Sequence, residues 1–215
     1  MVFSSVFLFD INSKKIDKQK RERVIFNKKI YKFLLASFFM LVAHAPLYVL
    51  FSLWLEGFGF NKLEIGLIWA LGVCSEIIFF LIQKKVFIFF GSVIRAWTFC
   101  FFIAAIRFLM IVLSNGNFFI IVLSQLLHSV TFGLHHSASI ALIDKLFPKG
   151  TKVRGQSFYT MASYGFGGSI GGILSGFLWD FVFPEAGFIM AIFAALIGGV
   201  IGISLRFDYL RESKN

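Results

Sequence analysis

Three ionisable residues lie inside long apolar stretches of this 215-residue sequence. Glu76 and Arg107 each lie within an apolar run, and His128 lies in a third run that has no Asp, Glu, Lys or Arg. A charge at the centre of a bilayer costs about 2.5–3.5 kcal/mol on insertion scales, so such residues usually face a helix bundle or a wet cavity. Because His titrates near neutral pH, a carboxylate and an imidazole at similar depth are the parts of a proton relay.

Each of these residues also has a purely structural interpretation. Glu76 can belong to a structural ion pair. Arg107 lies close enough to one end of its run to extend its guanidinium to the lipid headgroups. His128 can simply be a residue that forms a hydrogen bond between two helices. The sequence leaves these alternatives open.

Helical spacing groups further polar residues with these three. Gln125, His128, Phe132 and His135 fall on one face of a helix, which predicts a water-filled lining. His44 and Tyr48 share a second face with Ser52, and Gln156 and Tyr159 share a third with Ser163. The residues that we expect to bind a solute or carry a proton are Glu76, Arg107, His128, Gln125, His44, Tyr48, His135, Gln156 and Tyr159.

The elements that carry these residues are six apolar runs. They cover residues 33–55, 63–83, 96–113, 118–143, 155–179 and 186–205. Apolar residues make up 58% of the chain and charged residues 15%, which excludes disorder, a disulfide scaffold and an ordinary soluble enzyme. Since about 20 apolar residues span a bilayer, we predict an all-α membrane protein with six transmembrane helices.

The basic residues predict the orientation. With the N-terminus inside, 19 of the 21 Lys and Arg residues lie in inner segments, and Lys62 is the only one in an outer loop. This asymmetry predicts that both termini are cytoplasmic, and it explains the net charge of +10 without a nucleic-acid partner. We expect a basic cytoplasmic segment (1–32), a six-helix membrane domain (33–207) and a cytoplasmic tail (208–215).

Glycines recur at four-residue spacing in the last two runs. Such pairs let helix backbones approach closely, and they suit either tight packing or a surface on which helices slide. The glycines assigned to helix packing are Gly167, Gly168, Gly171, Gly172, Gly176, Gly198 and Gly202.

Three stretches carry a resemblance to a known family: GVCSEIIFF (72–80), LHSVTFGLHHSASIALIDKLFP (127–148) and RGQSFYTMASYGFGGSIGGILSGFLWD (154–180). They resemble the C-terminal half of major facilitator superfamily transporters, nearest to the 3-phenylpropionic acid transporter branch and more distantly to the oligosaccharide–proton symporters. The resemblance implies that the six runs are helices seven to twelve of a twelve-helix fold. Each half of such a fold consists of two inverted three-helix repeats. The resemblance also implies an inner-membrane location and makes residues 1–32 a candidate remnant of the linker between halves.

The resemblance also implies roles for the ionisable residues. Glu76, Arg107 and His128 match the order of the symporters' helix-eight glutamate, which binds substrate, and of the helix-nine arginine and helix-ten histidine, which take part in coupling. The symporters carry a coupling carboxylate one turn after the histidine, where this sequence has Thr131. Glu76 is therefore the expected proton carrier.

We expect a proton-coupled secondary transporter, or its C-terminal half, that moves a small organic solute such as an aromatic carboxylate. Its expected partners are the lipid bilayer, the solute, the proton, and a complementary N-terminal six-helix half or a second copy. No cofactor, metal or nucleic acid is expected. The alternatives are a truncated remnant or packing partner that does not transport, and a sugar or nucleoside proton symporter. An intramembrane enzyme is disfavoured, because no nucleophile–base pair or metal cluster is evident.

Overall fold

A computed structural model describes residues 24–212, apart from the side chains of Lys149 and Glu212. Within this part of the chain all regular structure is helical. Most of the expected basic segment (residues 1–23) and the end of the expected tail (213–215) lie outside the described residues. The division of the chain at residues 32 and 207 stays a prediction.

The described residues form eight α-helices, two π-helical segments (π1 and π2) and one 3-10 turn. In chain order they are α1 (Lys28–Gly57), α2 (Lys62–Phe90), α3 (Val93–Leu113), α4 (Phe118–Leu126), π1 (Ser129–Leu134), α5 (His135–Leu146), the 3-10 turn (Lys149–Thr151), α6 (Lys152–Thr160), π2 (Met161–Gly167), α7 (Gly168–Phe181) and α8 (Ala186–Glu212).

Five helices in the described part of the chain are long and apolar enough to cross a membrane. They are Lys28–Gly57, Lys62–Phe90, Val93–Leu113, Phe118–Leu146 and Ala186–Arg211. The run expected at 155–179 lies within α6, π2 and α7, which are not among the five. Glycine, serine and tyrosine make this stretch less apolar than the others. A span at this place, and with it the total of six, stays a prediction.

Asparagine side chains start three of the long helices. The Asn27 side chain accepts a hydrogen bond from the Ile30 amide at 3.0 Å, and Asn117 caps α4 in the same way. Asn61 and Glu64 form a reciprocal capping box at the start of α2, which satisfies amides that the helix leaves unpaired. Glu64, at the mouth of its apolar run, is therefore explained by local structure.

Two glycines turn the chain between helices. Gly91 ends α2 in the left-handed conformation, with φ of 61°. Gly116 has φ of 77°, and a Cβ at this position would lie 2.4 Å from a ring carbon of Phe58. A residue with a side chain would be strained at either place, so these glycines allow the short loops that bring α3 beside α2 and α4 beside α3.

Helix α1 lies at the centre of the bundle. It packs against α8 on one side and against π2 and α7 on another, while α3 packs on α8. Helix α2 packs mainly on α4 and π1, and it is the least buried of the five long helices. The α1–α2 side of the bundle therefore carries more exposed surface than the α1–α8 side.

Three of the expected packing glycines lie at close helix contacts. A Cβ on Gly167 would lie 2.6 Å from the Phe38 carbonyl oxygen, and one on Gly171 would lie 2.7 Å from the Ala45 Cβ. A Cβ on Gly198 would lie 2.5 Å from the Phe101 ring. These distances leave no room for a side chain. Gly167 of π2 and Gly171 of α7 therefore lie close to the backbone of α1, and Gly198 of α8 lies against the Phe101 side chain of α3.

The other four glycines have more room. A Cβ would make an ordinary contact at Gly172, 3.6 Å from Val49, and at Gly202, 3.4 Å from Thr98. For a Cβ at Gly168 or Gly176, no described atom outside the local helix backbone lies within 4 Å. Among these seven glycines, the close contacts are therefore at Gly167 of π2, Gly171 of α7 and Gly198 of α8.

Candidate functional site

Arg107 is the centre of a buried polar cluster. Its side chain is fully buried on α3. Its Nε donates to the Ser124 carbonyl at 2.8 Å, and its Nη2 donates to Gln125 Oε1 at 3.2 Å. Its Nη1 lies 3.0 Å from His128 Nδ1 and donates to Thr131 Oγ1 at 3.1 Å. The guanidinium therefore points into the α4–π1 segment and does not extend to the headgroups.

Hydrogen-bond roles fix the state of His128. A guanidinium has donors and no acceptor, so His128 Nδ1 must accept from Arg107. The ring is then neutral and carries its proton on Nε2. That nitrogen faces Glu76, whose Oε2 lies 4.0 Å away. The imidazole thus stands between the guanidinium and the carboxylate.

Glu76 faces the cluster, and most of its side chain is buried. Its side chain is 15% exposed, and its Oε1 is buried without a hydrogen-bond partner among the residues that the structure describes. Among residues 24–212 no carboxylate lies within 4.0 Å of Arg107. The positive charge of Arg107 therefore has only neutral partners in direct contact, and the carboxylate acts on it from beyond the imidazole.

His44 joins α1 to the cluster through Thr131. Its Nδ1 lies 2.9 Å from the Met40 carbonyl, which can only accept, so Nδ1 carries the proton. Its Nε2 lies 3.3 Å from Thr131 Oγ1 and can accept the hydroxyl proton. Thr131 therefore links Arg107 to His44 of α1.

Gln125 and Gly72 close the cluster on the α2 side. Gln125 is 1% exposed, and its Nε2 has no hydrogen-bond partner within the described residues. A Cβ on Gly72 would lie 3.2 Å from Gln125 Oε1 and 3.6 Å from the His128 ring. Gly72 is one turn before Glu76, so α2 approaches the cluster closely where its carboxylate enters.

The expected polar face on the fourth run ends at Phe132. The π1 segment, Ser129–Leu134, has more residues per turn than an α-helix, so positions after it are rotated relative to the 3.6-residue pattern. His135 is buried against Trp97 of α3, with ring centroids 5.7 Å apart. His136 instead continues the face and stacks on Phe132 at 6.5 Å.

Aromatic rings line the side of the cluster that is open to the exterior. Phe132 stacks on His128, with centroids 5.3 Å apart, and it meets Tyr48 and Tyr164 edge to face. Tyr48 is 48% exposed and stacks on Trp69. A flat, partly exposed aromatic surface therefore lies next to the carboxylate and imidazole.

The residues expected on the fifth run lie apart from Arg107. Tyr159 is 1% exposed and stacks on Phe33 at 5.7 Å. Gln156 is exposed on α6. Of the nine expected site residues, five form the cluster and Tyr48 lies beside it. Tyr159 reaches the site only at the Tyr164 ring, with centroids 6.1 Å apart, and His135 and Gln156 lie elsewhere. The five are Glu76, Arg107, His128, Gln125 and His44.

Three residues of the site are absent from the expected set. Thr131 contacts Arg107 and His44, while Phe132 and Tyr164 contribute aromatic surface. A threonine one turn after His128 was the available signal for the first. Helical spacing placed Phe132 on the predicted polar face of the fourth run, whereas nothing in an apolar run rich in aromatic residues distinguishes Tyr164.

The arrangement can bind an anion and hold a proton. A buried guanidinium without a direct carboxylate partner favours a second negative charge nearby. The Glu76 carboxylate and the imidazole can share a proton, because His128 Nε2 faces that carboxylate.

A comparison with protein families matches residues 5–190 to the MFS_1 like family. No curated protein matches the chain.

Proposed function

Because the chain belongs to the MFS_1 like family, we propose that it is a secondary active transporter, or half of one, that couples a proton to a small organic anion. The family supports transport across a membrane over enzymatic activity. The observation that carries the rest is the placement of His128 between the guanidinium of Arg107 and the carboxylate of Glu76.

The balance between the charges of Arg107 and Glu76 would couple the proton to the solute. Arg107 is buried and has no directly bonded carboxylate among residues 24–212, so its charge favours one anion near the cluster. In the empty transporter that anion is Glu76. When Glu76 takes a proton, the carboxylate of the solute replaces it, and proton and solute cross together by alternating access.

The aromatic surface supports a solute that carries an aromatic ring. Tyr48, Phe132 and Tyr164 lie on the open side of the cluster, and aromatic side chains stack on planar rings. A solute with a carboxylate and an aromatic ring would place the first near His128 and the second on Phe132. A sugar is less well suited, because Thr131 stands where the symporters have a coupling carboxylate.

The partial exposure of the cluster on one side supports a partner that covers it. Tyr48 is half exposed and Glu76 is not fully buried, whereas transporters of this fold bind solute between two six-helix halves near the midplane. We propose that a complementary six-helix half, or a second copy of the chain, covers this side. We further propose that α6, π2 and α7 together form the fifth of six spans. The protein would then lie in the inner membrane with both termini cytoplasmic.

Uptake into membrane vesicles tests the proposal. Radiolabelled 3-phenylpropionate is the probe, the chain is expressed alone and with a complementary half, and an inward proton gradient is applied or collapsed. Gradient-driven uptake is expected, and Glu76→Gln should abolish it. Glu56→Gln is the matched control, because Glu56 is exposed at the end of α1.

Two results would contradict the proposal. Uptake that is indifferent to the gradient and survives Glu76→Gln would reject proton coupling through this residue. No uptake of any carboxylate in either arrangement would favour the alternative, a chain that packs in the membrane without transporting. The close glycine contacts between α7 and α1 are compatible with that alternative.

A further inference from the structure

A positively charged cavity lies away from the central cluster. It has a volume of about 470 Å³ and lies where α3 begins and where α5 and α8 end. Its polar lining includes Arg95, Lys145 and Arg206 together with Ser92. No Asp or Glu is among its lining residues. Three cations therefore share one space without an internal counter-charge.

The acidic residues nearest in sequence do not neutralise these cations. Asp144 pairs with Lys152 at 2.8 Å, and Asp208 pairs with Lys32 at 2.5 Å. Over the part of the chain that the structure describes, none of the three cavity cations has a carboxylate within 4.0 Å. The cavity is therefore suited to an anion from outside the chain.

The position of Arg95 supports this view. Lys145 lies in the last turn of α5, where a cation complements the helix dipole, whereas Arg206 lies more than one turn before the end of α8. Arg95 lies in the first turn of α3, whose dipole disfavours a cation, and its Nη2 lies beside Gly91 at the C-terminal end of α2. Ser92, the N-cap of α3, makes no side-chain capping bond, so the first-turn amides also favour an anion.

Apolar residues continue from the cavity onto the outer surface of the bundle. Ile94, Leu142 and Leu210 are part of its lining. Phe99, one turn after Arg95, is 41% exposed, and Phe207, next to Arg206, is 64% exposed. A ligand that occupies the cations and extends along this surface needs an anionic head and apolar chains.

We propose that this cavity binds the phosphate headgroup of an anionic phospholipid, with the acyl chains lying along α3 and α8. Basic pockets between membrane helices at headgroup depth bind such lipids. The cavity lies at the end of the bundle where Lys32 of α1 meets Asp208 of α8. The distribution of basic residues predicts that this end is cytoplasmic.

Native mass spectrometry of the purified full chain tests the site. The probes are phosphatidylglycerol and phosphatidylcholine with identical chains, and glycerol 3-phosphate is added as a free-headgroup competitor. We expect phosphatidylglycerol to bind at least about fivefold more tightly than phosphatidylcholine, since each basic side chain near the surface attracts anionic lipid. Excess glycerol 3-phosphate should not displace it.

A charge-matched pair of variants makes the test specific. Replacing Arg95, Lys145 and Arg206 by Gln should remove the preference for phosphatidylglycerol. The control replaces Lys28, Lys62 and Arg211, which are exposed, by Gln and should keep it. The single variant Lys145→Gln should weaken the preference without a change in helical content.

Three outcomes would overturn the proposal. One is that the control loses as much of the preference for phosphatidylglycerol as the cavity variant does. The preference would then depend on the net charge of the protein and not on the cavity. The second is equal binding of the two lipids. The third is displacement of the lipid by glycerol 3-phosphate, which would assign the cavity to a soluble anion.

Discussion

The guanidinium of Arg107 donates to Nδ1 of His128 at 3.0 Å, while Nε2 of the same ring faces the Glu76 carboxylate at 4.0 Å. This contact requires a neutral imidazole, because arginine cannot accept a hydrogen bond. A proton that arrives at Glu76 therefore changes the charge of the cluster without breaking the contact between Arg107 and His128.

Replacing Arg107 by Lys should destabilise the protein. A lysine cannot reproduce the fork of donors that contacts Ser124, Gln125 and Thr131. Leaving buried partners unpaired should cost about 2–4 kcal/mol, seen as a lower unfolding midpoint in detergent. Arg211→Lys is the control on the surface. An unchanged midpoint for Arg107→Lys would mean that the guanidinium contacts are not formed.

Thr131→Asp tests the charge balance directly. The change would place a permanent carboxylate beside Arg107, where the hydroxyl now lies 3.1 Å from Nη1. We expect the protein to be at least as stable as the wild type but to bind 3-phenylpropionate at least about tenfold more weakly, a difference of about 1.4 kcal/mol. Isothermal titration measures the affinity. Tighter or unchanged binding of the anion would argue against competition for Arg107.

Two histidine variants separate the site from the core. His128→Phe should abolish gradient-driven uptake, because it removes the ring between Arg107 and Glu76. His135→Phe should retain uptake, because His135 is buried against Trp97 and Phe101 on another side of the helix. The same vesicle assay compares them at equal expression. Equal loss in both variants would contradict the separation that we assign to π1.

Glycine variants of α7 test the helix contact. Gly171→Leu should cost about 1–3 kcal/mol of stability through overpacking, because a Cβ there would lie 2.9 Å from the Val42 Cα. Gly176→Leu should have little effect, since nothing lies within 4 Å of that position. Thermal unfolding in detergent compares the two. A larger loss at Gly176 would place the contact on a different line of α7.

Much of this architecture could be predicted from composition and spacing. Five of the six apolar runs coincide with helices of membrane-spanning length, and the similar depth of Glu76 and His128 anticipated their proximity. The direction of the Arg107 side chain could not be predicted, because an arginine near the end of a run can reach headgroups as easily as a buried acceptor.

The π1 segment explains the main difference between sequence and structure. A 3.6-residue period places His135 with His128, but the wider turns of Ser129–Leu134 rotate it into the core and bring His136 onto Phe132. No residue in that segment marks a π-helix in the sequence. The fifth run, residues 155–179, is a different case, because its glycines suit close packing and at the same time lower its hydropathy.

Proton uptake on solute binding tests the central claim most directly. Purified protein in weakly buffered detergent solution is mixed with 3-phenylpropionate, and a pH-sensitive dye reports protons taken up per anion bound. If Glu76 accepts a proton as the carboxylate takes its place near Arg107, about one proton per bound anion should be taken up, and Glu76→Gln should take up none. Binding of the anion without proton uptake by the wild type, or equal uptake by Glu76→Gln, would contradict the account.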